Sequence, residues 1–333
     1  MRTYKVMKLV LALALLGCQQ TAQVETRKVA PVAKPQITQV PWALDCTNNL
    51  QEHLDVGGIV TVPNVGKDWV TRPLYIRKSN TTLRLEAGVT LVAQRGADGF
   101  RAKGACLISL VDVSNVTISG AFATLRGWRL ELTDVDQVEH SEWRHGLQVL
   151  SSSRVTIEGL RIENFGGDGI YIGGSGVPCS SIHIRNVVCA GNYRQGMSVI
   201  AGVGVLVEDC VFRDTRGNPP QAGIDIEPNN VHQQLLGIVV RRCLAEGNNG
   251  AGFQVNLQRL NPDSPRVSIT FQDCLTRNNR RATPVVKAAN GLPIDSCIEF
   301  KCCTFLDEPW PDAEGVAEFP GCKWIQPIYS MKE

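Results

Sequence analysis

From residue 115 onward the chain repeats a short phrase in which apolar and polar side chains alternate. The copies are NVTISG (115–120), RVTIEG (154–159), SIHIRN (181–186), GVLVED (204–209), GIVVRR (237–242), RVSITF (266–271) and CIEFKC (297–302). Alternation with period two predicts strands with one buried face. Each phrase runs into a polar turn, often with Asn, and then into a second short strand beside a glycine: GIYIG, GMSVI, GIDIE and GFQVN. Copies lie about 23 to about 39 residues apart, the mark of a solenoid whose coils share a core while their loops vary. Hairpin signals for a sandwich are scarce. The intervals lack the leucine ladder and the room for a helix per repeat that a leucine-rich repeat needs. The pattern predicts an all-β parallel β-helix, each strand pairing with its counterpart one coil away.

Aligned copies put Leu160, Val187, Cys210, Cys243, Cys274 and Cys303 in one inward column. A buried free cysteine behaves as a small apolar side chain, so a stack of thiols is expected there, with disulfides between adjacent coils as the alternative. Asn164, Asn192, one of Asn248 or Asn249, and one of Asn278 or Asn279 form a second column at turns. Asn tolerates the left-handed conformation and bonds locally, so this column reads as structural. Upstream, LDCTNNLQEHL (44–54) predicts a short helix capping the apolar end of the solenoid, and GGIVTVP, PLYIR and TTLRLEAGVTLVA predict early strands and turns. The stretch after Pro309 is expected to cap the other end or fold back along it.

The N-terminus sets the expected compartment. Arg2, Lys5 and Lys8 precede an apolar run, Leu9 to Leu16, too short to span a bilayer. The string LLGC resembles the lipobox of bacterial lipoproteins, which implies a signal peptide over 1–17 and a lipid on Cys18. Residues 18–40 read as a flexible tether and 41–333 as one β-helix domain with terminal caps. The expected location is outside the cytoplasm, at the outer membrane or cell surface, held by the N-terminal lipid only. Without residues 1–17 the chain loses three basic and no acidic side chains, so its formal charge falls from +2 to −1. No basic stripe with interleaved aromatics occurs, which excludes nucleic acid as an expected partner. Setting Cys18 aside leaves 11 of 12 cysteines, an odd number, and no metal-ligand spacing with matching histidines accompanies them.

The order of capping helix, GGIVTVP, SNTTLRLEAGVTL and SNVTISG resembles the pectate-lyase-like right-handed β-helix proteins over about residues 42–305. That class includes polysaccharide lyases, polygalacturonase-type glycosidases, alginate epimerases and phage tailspikes. The phrases EWRHGL, GGDGIYIG, NYRQGMSVI and AGIDIEPN also resemble a group of secreted bacterial β-helix proteins. The resemblance implies a right-handed coil and a polysaccharide or oligosaccharide ligand. Polygalacturonase-type enzymes pair aspartates in an NTD…DD…GHG…RIK arrangement, and this chain has no GHG and no DD pair. Calcium-dependent lyases need an acidic cluster beside an arginine, and the acids here are widely spaced.

Candidate chemistry gathers on the second strand of each coil. Tyr171, Ser198, Asp225 and Gln254 occupy one outward row, and Gly173, Ile200, Glu227 and Asn256 the next. Asp225 and Glu227, two apart on a strand, are expected to face solvent roughly 7 Å apart, a separation suited to general acid and base work on a glycosidic bond. An ordinary solvated face is the alternative, as is a turn-holding role for Glu227 before Pro228. Asp168 lies between glycines and reads as catalytic or as a turn cap. Arg194 is the candidate for gripping a carboxylate or sulfate on a sugar. The turns also bring Gln195, Asp214 and Arg216. The insertion 121–145 offers Trp128 and Trp143 for stacking on sugar rings, Arg144 as a carboxylate clamp and His145 as a general base; sealing the loop is the alternative for the tryptophans. The expected function is hydrolysis of an extracellular polysaccharide by a monomer. The catalytic set is Asp225, Glu227, Asp168, Arg194 and His145. The substrate-binding set is Tyr171, Trp128, Trp143, Arg144, Gln254 and Asn256. A lyase or C5-epimerase acting on a uronic-acid polymer is the enzymatic alternative, and only there would a divalent cation such as calcium enter; no metal ligand or other cofactor is assigned. A non-catalytic glycan-binding β-helix is the third reading.

Overall fold

The computed structural model describes residues 37–307, except 137, 175, 282, 289 and 290 and the side chains of Ala97 and Asp98, together with the backbone of Cys322–Ile325 and Ile328–Tyr329. The expected signal peptide over 1–17, Cys18 and most of the expected tether lie outside the described residues, as does most of the C-terminal stretch. The tether is shorter than expected: Ile37–Gln39 is already a strand, pairing in parallel with Gly58–Val62.

The described chain is a right-handed parallel β-helix. Each full coil contributes three strands, one to each of three parallel sheets, rather than the two that alternation alone predicts. One coil consists of Gly202–Glu208, Val211–Arg213 and Ile224–Ile226; the next of Leu235–Arg241, Leu244–Glu246 and Phe253–Asn256. Equivalent positions stack in register, with Val205 on Ile238, Val207 on Val240, Val211 on Leu244 and Ile224 on Phe253. The middle strands are three residues long, too short for a period to show.

The turn between the first and second strands explains the inward cysteine column. Asn186, Asp209, Arg242, Asp273 and Cys302 adopt φ of 50–54° there. The residue after each left-handed position drops into the core, and these are Val187, Cys210, Cys243, Cys274 and Cys303, all buried. Those four cysteines are free thiols. At the following turn the asparagine column needs correction. Asn164 is itself a left-handed residue (φ 59°), in line with Gly191, Asp214, Gly247 and Asn278. The ladder lies one residue later. The Asn192 side-chain oxygen accepts from Phe165 N–H (3.0 Å), that of Asn248 from Thr215 N–H (3.1 Å), and that of Asn279 from Asn248 N–H (3.0 Å).

Helix Thr47–Val56 buries Leu50 and Leu54 against the first coils, as expected. Its Gln51 finishes the edge of the third sheet. The amide donates to Tyr75 O and accepts from Tyr75 N–H, both at 2.9 Å, in place of a missing neighbouring strand. The insertion 121–145 is less irregular than expected: 121–126 continue the strand Ser114–Arg126, and Arg129–Leu132 form a short helix. No helix among the described residues is long and apolar enough to cross a membrane.

Candidate active site

The third sheet carries the site. Its outer row stacks Gln148, Tyr171, Ser198, Asp225 and Gln254 in direct register, while Ile170, Met197, Ile224 and Phe253 face inward and are fully buried. The register therefore follows the expected columns, but pointing outward does not here mean pointing into water. Asp225 is completely buried. Gln195 reaches over from a turn and donates to one carboxyl oxygen (2.9 Å); Gln254 from the next coil donates to the other (3.1 Å). Gln195 is held in that pose because its own oxygen accepts from Ala222 N–H at 2.9 Å.

Glu227 follows the end of the strand, and its carboxyl stands close enough to that of Asp225 for each to act on the other's proton. The two acids are thus coupled rather than independent. Burial, and next the charge of Glu227, push the Asp225 carboxyl well above the ordinary carboxylate range. Coupling between two carboxyls favours one shared proton. Glu227 remains part-exposed and accepts from Asn256 (2.7 Å).

Arg194 sits among the acids. Its guanidinium lies 3.5 Å from Glu142, 3.7 Å from Asp168 and 3.5 Å from Glu227. Burial opposes its charge, but the surrounding carboxylates, Asp225 included, outweigh that and raise its pKa. Asp168 is fully buried, and burial raises its carboxyl to about 7 against the opposing pull of Arg194. Neither of its oxygens, nor the buried Ser198 hydroxyl, makes a hydrogen bond of full geometry, although Ser198 and the Gln195 N–H stand close enough to favour the charged carboxyl.

His145 is buried beneath, its ring stacked on Tyr171 at 4.8 Å. Its Nδ1 accepts the Asp168 N–H at 2.8 Å, so the ring proton is on Nε2. Burial, with Arg194 adding to it, lowers its pKa to about 3. This imidazole is a neutral, enclosed support for the Asp168 turn and does not have the access that a base acting on substrate requires.

Arg144 also departs from its expected role. It is fully buried, and its guanidinium donates to four backbone carbonyls, those of Phe100, Leu132, Arg101 and Glu139. It fastens the insertion to the coil and has no face left for a sugar carboxylate. Trp128 packs against the core, donates to Ala93 O (2.7 Å) and carries Arg95 on its ring. Trp143 is about half exposed (53%), next in the chain to Glu142. Asp214 and Arg216 pair with each other at 3.7 Å.

The structure therefore gathers Asp168, Arg194, Asp225, Glu227, His145, Tyr171, Gln254 and Asn256, together with Ser198 of the same row and Gln195 of the turns, and it adds Glu142 from the insertion. Asn218 bonds to Glu142, and Asn229 meets the Tyr171 hydroxyl; neither was expected. Glu142 belongs to an insertion with no period, so nothing in the sequence set it apart from its charged neighbours. Among the described residues, no three His, Cys, Asp or Glu side chains converge as a metal site.

Residues 98–299 match the family model described as "Right handed beta helix region". The polygalacturonase from Erwinia carotovora ssp. carotovora superimposes with a TM-score of 0.55 at 13% identity, covering 92% of this chain and 98% of that one. The endo-xylogalacturonan hydrolase from Aspergillus tubingensis gives 0.55 at 12% identity, covering 88% and 92%. Both are likenesses of fold. By sequence, the chain is 29% identical over 277 residues to the SPbeta prophage-derived uncharacterized protein YorA of Bacillus subtilis (strain 168), covering 78% of this chain and 39% of that protein. It is 32% identical over 125 residues to the uncharacterized protein YclG of the same organism, covering 34% and 21%. The chain thus spans well under half the length of these curated relatives. The stacked parallel coils and the match over most of the solenoid agree, and the chain belongs to the right-handed β-helix family.

Proposed function

We propose that this chain is a carbohydrate-active enzyme that hydrolyses glycosidic bonds in an extracellular polysaccharide. The observation that carries the reading is a fully buried Asp225, its carboxyl held above the ordinary range by burial and by the neighbouring charge of the part-exposed Glu227. A coupled carboxyl pair of this kind holds one acid proton to a higher pH than a lone carboxyl does. Glu227 is the member that meets substrate; it passes the proton to the glycosidic oxygen, and Asp225 resupplies it. Hydrolysis also needs a base for water. Glu142, the other part-exposed carboxylate beside Arg194, takes that role. Arg194 holds the acids in place and moderates their mutual repulsion. The solved structures with similar folds include polysaccharide hydrolases, which adds support of a coarser kind.

Hydrolysis is favoured over uronate elimination by the state of the bases. His145 is enclosed and neutral, and the Arg194 charge is already answered by acids on three sides. A polysaccharide panel read in two ways separates the chemistries. New reducing ends without absorbance from unsaturated uronates are expected. Unsaturated products would establish a lyase, and glycan retention with no product at all would establish a binding module.

A further inference from the structure

Around Arg194, hydrogen-bond acceptors outnumber donors. The guanidinium stands 3.5–3.7 Å from three carboxylates, yet its buried Nε has no hydrogen-bond partner. Both Asp168 oxygens and the Ser198 hydroxyl, all fully buried, make no hydrogen bond of full geometry, although Ser198 and the Gln195 N–H lie near the carboxyl. Cation and carboxylates thus face each other across a gap slightly too wide for direct bonding. A hydroxyl can close such a gap, since it accepts from the guanidinium while donating to a carboxylate. An ammonium group only donates, and a carboxylate or sulfate only accepts.

Charge points the same way. Among the described residues, Arg194 is the cation placed against Glu142, Asp168, Asp225 and Glu227. With Asp225 protonated, Glu142 and Glu227 alone still exceed it, and both are part-exposed at 29% and 27% of their side-chain surface. An anionic sugar would bring a third negative group to two part-exposed carboxylates that already share the Arg194 charge.

We propose that this site takes a glycan ring that presents hydroxyl or ammonium donors to Glu142 and Glu227 and carries neither carboxylate nor sulfate. This deepens the reading of the cluster as a glycan-hydrolysing site and rests on it. Arg194 is then a positioning residue for the acids and not a clamp for an anionic sugar.

Affinity electrophoresis of the full chain tests the proposal without requiring turnover. The gels contain galactan, xylan or mannan as neutral polymers, chitosan as an amino polymer, and polygalacturonate, alginate or carrageenan as anionic ones. At least one neutral or amino polymer should retard the protein at least tenfold more strongly than any anionic polymer. Retardation by chitosan that vanishes in salt, with none by neutral polymers, would assign the ammonium source; retardation that survives salt would assign hydroxyls. Glu142→Lys should reverse the preference, losing at least tenfold on the neutral or amino polymer and gaining on an anionic one. Equal or stronger retardation of the wild type by an anionic polymer overturns the proposal while leaving hydrolysis intact. Retardation by a neutral polymer that is never cleaved overturns hydrolysis and leaves the ligand class standing. No retardation by any polymer overturns both.

Discussion

Asp168 is fully buried, and burial lets it keep its proton to about pH 7 instead of about 3.8. Between those values the folded protein binds a proton that the unfolded chain has lost, so this residue makes stability fall as pH rises through that window. His145 acts oppositely. It stays neutral in the fold down to about 3, whereas its ordinary value is 6.5, so it makes stability rise with pH between them. The two slopes oppose each other in the wild type, and a variant is needed to separate them. Asp168→Asn removes the acid and keeps its shape. The difference in unfolding free energy between variant and wild type should be constant below about pH 4, move in the variant's favour up to about pH 7, and then level off. Denaturant unfolding at several pH values measures it, and a difference that stays flat from pH 4 to 8 would contradict the burial of this carboxyl. None of this was legible in the sequence. Asp168 between glycines reads equally as a turn cap, and its perturbation comes from burial, opposed by Arg194, in an enclosure that separate turns and strands build around it. The same limit hid the burial of Asp225. Register gave its direction correctly, but the side chains that roof it come from Gln195 in a turn and Gln254 a coil away.

At the scale of elements, a glycine ladder leads into the third sheet. A Cβ on Gly169, Gly196 or Gly223 would stand 2.5–2.6 Å from the carbonyl oxygen of Gly196, Gly223 or Gly252 in the next coil. That is why the central third-sheet strands, from Leu147–Leu150 to Phe253–Asn256, each follow a glycine: coils stacked at strand spacing leave no room for a methyl group there. Gly223→Ala would also bring its Cβ to 3.0 Å from Ala245 Cβ. Because backbone must move, the substitution should destabilise by about 1–3 kcal/mol. A thermal melt of G223A checks this; a melting temperature equal to wild type would mean that the coils are spaced more loosely than described. The longer strands and the cysteine column were readable because period two and a fixed turn geometry leave marks in the sequence. The three-residue middle strands, such as Val188–Ala190 and Leu244–Glu246, leave none. The asparagine ladder was displaced at Asn164 because Asn suits both the left-handed position and the bonding position one residue later.

For the whole molecule, the stacking of coils converts a weak repeat into a continuous core and an outer row of functional groups. Tyr171, Ser198, Asp225 and Gln254 come from four successive coils and meet only because their strands pair in register. The architecture was legible because every coil restates it. The site was half legible, because each coil contributes different chemistry and the insertion contributes Glu142 and the buried Arg144 without any repeat to align them. The central claim is that Asp225 and Glu227 share the proton used to break a glycosidic bond. It is tested most directly by turnover of Asp225→Asn and Glu227→Gln on a polysaccharide that the wild type cleaves, with melting temperatures measured alongside. Both amides keep the shape of the acid and remove the exchangeable carboxyl. Loss of either should lower kcat by about a hundredfold or more while the protein remains folded and KM changes little. Full turnover by both folded variants would contradict the account.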